Sequence, residues 1–71
     1  MKIDDIIKQK HNSAIILGKI VSINKHKFEI RIKVLKSLDN IWLNEIVPFP
    51  SNHIQNWYKV VPKYEAVLEL L

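Results

Sequence analysis

The chain contains no cysteine and one glycine, Gly18. The first absence excludes disulfide staples and any cysteine-ligated zinc site. The second leaves no glycine-rich loop of the kind that cradles phosphates. With three prolines as the only other punctuation, long flexible loops and disorder are not expected. No stretch approaches the ~18 consecutive apolar residues of a membrane span. Asp4 and Asp5 interrupt the start of the chain where a secretory signal would carry an apolar run. An intracellular, cytoplasmic setting without a membrane partner is therefore expected.

Apolar residues are abundant: 48% of a 71-residue chain, with twelve isoleucines among them. This length supports one domain, residues 1–71, near the lower limit for a core without covalent staples. Isoleucine is β-branched and fits a pleated surface better than a helix, so a mainly β (α+β) fold is expected. So much apolar surface on so short a chain also points to a homo-oligomer. The formal charge of +4 permits nucleic acid, an anionic surface or an acidic protein as partner without demanding any of them.

Along the chain, residues 1–12 read as a short helix, with Ile3, Ile6, Ile7 and Lys10 at helical spacing and Asn12 as its stop. Residues 14–36 read as a long antiparallel hairpin turned at 24–27. In its second half Phe28, Ile30, Ile32 and Val34 alternate with Glu29, Arg31 and Lys33, the period of a half-buried strand. Its first half is apolar at both parities and contains Gly18, which suggests a bulge or bend. A tight turn would set Ile23 against Phe28, Val21 against Ile30 and Leu17 against Val34, and a four-residue turn would keep the same parity. The expected core face is thus Leu17, Val21, Ile23, Phe28, Ile30, Ile32 and Val34. Lys19 would then face the core unless the chain bends at Gly18.

Residues 37–40 form a polar turn, and residues 41–47 read as a third strand closed by Pro48 and Pro50. Ser51 is placed to cap a helix of one or two turns that carries Ile54, Trp57 and Tyr58. The tail has two readings. Tyr64, Val67, Leu68 and Leu71 mark a helical stripe behind Pro62, while Val60, Val61 and the alternation beyond them suit two short strands. The strands are preferred, because three strands alone close a core poorly.

A bent, glycine-containing first strand and a helical stretch before the last strands resemble an OB-fold or related small barrel over residues 14–71. The expected architecture is a small antiparallel β-barrel or strongly bent sheet, OB/SH3-like, with a short N-terminal helix. The resemblance is architectural, and it implies oligonucleotide binding on the second and third strands. The alternative of a three-stranded sheet with helices from both ends is similar to double-stranded RNA-binding domains, but their lysine-rich second-helix start is missing.

No catalytic constellation stands out. The carboxylates are scattered and the histidines, His11, His26 and His53, fall in separate segments, so neither an enzyme, a metal site nor a cofactor is expected. The basic residues are better organised. Lys25 and Lys27 fall at the hairpin tip, Arg31 and Lys33 on the outward face, Lys36 at its end, and Lys19 joins them if it turns out at Gly18. With Trp42 as a stacking surface, these seven residues form a candidate interface for single- or double-stranded nucleic acid. The plainer reading is that lysine and arginine only cover the solvent side of a strand. Phe28, Phe49, Trp57 and Tyr64 are assigned to core or lid. Alternatively, the chain is a protein-interaction module, an inhibitor or oligomeric subunit, that binds through Phe49, Ile54, Trp57 and Tyr58 in residues 48–58.

Overall fold

A computed structural model describes all residues, Met1–Leu71. Five strands and two α-helices follow in the order β1 (Ile6–Gln9), β2 (Ile15–Asn24), β3 (Glu29–Ser37), β4 (Ile46–Pro50), α1 (Ser51–Trp57), β5 (Tyr58–Val61) and α2 (Lys63–Leu70). The strands make one sheet in the order β4-β3-β2-β1-β5, with every pairing antiparallel. The fold is mainly β, and the sheet does not close: β4 and β5 remain its two edges.

The sheet is nevertheless strongly curled. Five flat strands would hold the edges ~19 Å apart. The edges are joined by α1 alone, whose seven residues rise only ~10 Å. The inner faces of all five strands accordingly meet in one core of Ile7, Ile15, Ile20, Ile30, Ile32, Val34, Ile54 and Tyr58, with Val47 and Phe49 of β4 packed against it. Ile54 of α1 is fully buried in this core. A second, smaller cluster on the outer face joins Leu17, Val61 and Ala66 under α2, flanked by Ile6 and Leu35.

The N-terminal segment is a strand, not the expected helix. β1 lies between β2 and β5 and is covered on both faces: Ile7 is fully buried in the inner core while Ile6 joins the outer cluster. Neighbouring isoleucines satisfy a helical stripe and a doubly covered strand equally well, and the two hydrogen-bonding neighbours decide for the strand.

The hairpin forms, but its four-residue loop falls at 25–28 rather than 24–27, which sets Asn24 opposite Glu29 and Ile23 opposite Ile30 instead of Phe28. The Asn24 Oδ1 accepts hydrogen bonds from the backbone N–H of His26 and Lys27, both at 3.1 Å, which closes the turn. Phe28 therefore belongs to the loop and is 75% exposed, not a core residue. The ladder then shifts register between Ile20 and Ser22, so that Ile20 pairs with Ile32 and takes the core place expected for Val21. The same shift sets Lys19 opposite Lys33 on the outer face. The close approach falls at Gly18, where a Cβ would stand 3.0 Å from Ile32 Cδ1 and 3.4 Å from the Lys33 carbonyl oxygen. Leu17 lies in the outer cluster, beyond a further irregularity that pairs it with Lys36.

The third strand starts later than expected, and both prolines lie inside it. Val34 donates to the Glu45 carbonyl at 3.0 Å and Ser51 donates to the Phe28 carbonyl at 2.7 Å. This parity leaves Pro48 and Pro50, opposite Arg31 and Glu29, at positions whose N–H would face away from β3. An edge strand can therefore carry them without losing a ladder bond. In the tail, β5 is a strand but residues 63–70 are helical, with Pro62 as the N-cap. That corrects the preference for strands there.

Candidate functional site

The outer face of the hairpin gathers Lys19, Arg31 and Lys33. Lys19 and Lys33 are direct cross-strand neighbours, and Arg31 lies two residues along the same face. Their charges are not equally available. Lys19 Nζ lies 3.4 Å from Asp4 Oδ1, and the Arg31 Nε donates to Glu29 Oε1 at 3.2 Å. Lys36, at the other end of β3, is turned toward α2: its Nζ donates to the Glu69 carbonyl at 2.9 Å and lies 3.9 Å from that residue's carboxylate. Lys25, Lys27 and Lys33 take part in no ion pair. The unpaired charge of the hairpin is therefore concentrated at its tip and at Lys33.

Phe28 sits beside two of these lysines, Lys25 and Lys27, in a conformation that its side chain does not favour. Its φ is 52°, in the left-handed region, where glycine and asparagine are at ease and a bulky residue is strained by about 1–2 kcal/mol. With the ring mostly in solvent, core packing does not compensate. Phe28 and Lys27 border a shallow depression of about 350 Å³ completed by Glu29, Pro48, Phe49 and Pro50.

Trp42 is not on this face. It lies in the loop after β3, 44% exposed and also left-handed with φ 54°. It borders a depression of about 210 Å³ on the core side of the sheet, with Ile15, Phe49, His53 and Tyr58. Here the rings form an array: Phe49 and His53 stack at 5.3 Å, His53 and Trp57 lie 6.1 Å apart, and His11 meets Trp57 edge-on at 5.3 Å. No protein-family model, curated protein or solved structure matches the chain. The geometry of its own side chains therefore carries the functional argument.

Of the residues expected at a protein interface, Phe49 is half-buried in the array and Trp57 is 44% exposed. Ile54 and Tyr58 are buried in the core and present no surface to a partner. Tyr58 Oη donates to the Ile15 carbonyl at 2.8 Å and lies 3.3 Å from Ser13 Oγ. Burial pushes its phenol above the ordinary value, and the Ser13 hydrogen bond pulls the other way. His11 and His53 come together only through Trp57. No three His, Asp or Glu side chains cluster as metal ligands, and no helix is long and apolar enough to cross a membrane.

The sequence pattern puts the lysines on the hairpin and reads Phe28 as core. An aromatic in an alternating strand looks like core, and only the one-residue offset of the loop moves it into solvent. The contiguity of Phe49, His53 and Trp57 was legible in part, from the i, i+4 spacing of His53 and Trp57 on α1.

Proposed function

We propose that the chain is a non-enzymatic module that binds single-stranded nucleic acid at the hairpin tip, with Lys25, Lys27 and Lys33 meeting phosphates and Phe28 stacking on a base. Arg31 and Lys19 extend the track along the outer face once their exposed ion pairs, weak in water, exchange for phosphate. The observation that carries the reading is Phe28: an exposed aromatic held at positive φ between free cations gains nothing for the fold. A stacking contact, worth about 1–3 kcal/mol per base, gives such a residue a use. The curled sheet keeps an analogy to OB- and SH3-like folds, which supports the reading without establishing a function.

The test is binding of labelled single-stranded oligonucleotides across a salt series. With three to five phosphates contacted, the logarithm of affinity should fall with the logarithm of salt at a slope of roughly −2 to −4. Lys25→Ala/Lys27→Ala should weaken binding and flatten that slope by about 1.4. Phe28→Asn should lower affinity by ~10-fold or more while leaving stability equal or higher by about 1 kcal/mol. Absence of salt-sensitive binding by the intact chain would overturn the proposal.

A second reading rests on the ring array of Phe49, His53, Trp57 and Trp42, which could anchor a partner protein. Trp57→Ser would then abolish capture of that partner without changing oligonucleotide affinity.

A further inference from the structure

α2 is docked in the reverse of the usual amphipathic orientation. Its acids face inward: Glu69 Oε2 lies 3.2 Å and Glu65 Oε1 3.9 Å from Lys8 Nζ. Among its residues only Ala66 is buried. Its large apolar side chains face solvent, with Tyr64 70%, Val67 56%, Leu68 67% and Leu71 95% exposed. These four stand at i, i+3, i+4 and i+7 and form a continuous ridge. Beside the ridge runs a groove of about 390 Å³, floored by Ile6, Leu35 and Ala66 and walled by Val67 and Leu70, with Lys19, Lys63 and Asp4 at its rim.

We infer that a second copy of this chain covers this face, the α2 ridge of each protomer lying antiparallel in the groove of the other. Ridge and groove are adjacent on one surface, which is the requirement of a self-complementary two-fold contact. Tyr64, Val67, Leu68, Leu70 and the C-cap Leu71 together expose roughly 600 Å² per protomer, so a pair that covered all of it would bury about 1,200 Å², the lower edge of the range for specific interfaces. The charges agree with this pairing. With Glu65 and Glu69 engaged by lysines of their own sheet, the ridge carries no ionised side chain into the contact. Lys63, at the first residue of α2, opposes its own helix dipole and takes part in no ion pair. An antiparallel partner helix brings its negative C-terminal end to that lysine. The interface is distinct from residues 48–58, where the sequence pointed for self-association; it leaves the hairpin tip free but shares Lys19, at the groove rim, with the far end of the basic track.

Sedimentation equilibrium of the full chain, from about 10 μM to about 1 mM, tests the inference. A monomer–dimer equilibrium is expected. Leu68→Glu should weaken it at least tenfold, whereas Leu38→Ser, at an exposed leucine outside ridge and groove, should leave it unchanged. Circular dichroism checks that each variant is folded. The ridge has its midpoint between Val67 and Leu68, so the two-fold brings those positions of both copies together. The chain has no cysteine of its own, and Leu68→Cys should therefore give a disulfide-linked dimer under mild oxidation, with Asn52→Cys as the unlinked control. A monomer throughout the concentration range, a dimer indifferent to Leu68→Glu, or equal cross-linking at positions 52 and 68 would overturn the inference.

Discussion

The contact between Gly18 and Ile32 can be tested as a double-mutant cycle. Gly18→Ala has two opposing effects. Reduced freedom of the unfolded chain stabilises by about 0.4–1 kcal/mol. The new methyl, however, would stand 3.0 Å from Ile32 Cδ1 and 3.4 Å from the Lys33 carbonyl, and forcing it into a filled core costs about 1–3 kcal/mol. Ile32 is fully buried and has little room to withdraw. The net expectation is a loss of about 1–2 kcal/mol, or roughly 4–16 °C in Tm for a domain of this size. Ile32→Val alone removes the δ-methyl and should cost about 0.5–1.5 kcal/mol. In the double variant the alanine methyl occupies the space that the δ-methyl vacates, so the two losses should fall short of additivity by about 1 kcal/mol. Equilibrium urea unfolding, followed by tryptophan fluorescence with the m-value held in view, measures each corner of the cycle. Additivity within about 0.5 kcal/mol would refute the claim that Ile32 is what keeps position 18 free of a side chain.

Tyr58→Phe should destabilise by about 1–2 kcal/mol in urea unfolding at neutral pH, because the buried hydroxyl that donates to the Ile15 carbonyl is lost. The same variant should be less sensitive to alkali. With its folded-state value raised, Tyr58 contributes stability that is complete below the free phenol value of about 10 and is lost as pH rises from there through the folded value; an equally steep loss in the variant would refute this assignment. Glu69→Gln, which weakens the pairing with Lys8 and Lys36 under α2, should cost no more than about 1 kcal/mol given the partial exposure of these groups. Most of that loss should vanish in ~1 M salt, as thermal melts at two ionic strengths would show.

The hairpin was legible because its determinants are local. Ile30, Ile32 and Val34 alternate with Glu29, Arg31 and Lys33 over a run with no competing period, and the structure buries the first set. The same logic failed at Val21, where one extra residue in the ladder inverts the parity that the rest of the strand declares. It failed again at residues 41–47, where the prolines read as terminators. A missing N–H stops a strand only when the neighbour on that side needs it, and β4 has no neighbour on that side. The basic part of the candidate site was legible as a cluster, but not which lysines are free. Asp4 and Glu69, which take up Lys19 and Lys36, are remote from them in sequence.

What the sequence determined by itself is thus the mainly β character, the hairpin of β2 and β3, and the concentration of cations upon it. These follow from side-chain shape and from periodicity within one segment. The tertiary structure alone decided that Ile6 and Ile7 enter a strand covered on both faces and that Phe28 stands in solvent. It also decided that α2 turns its acids inward and its leucines out. Each of these depends on which other segment supplies the hydrogen bonds, the cover or the counter-charge, and no local period carries that information.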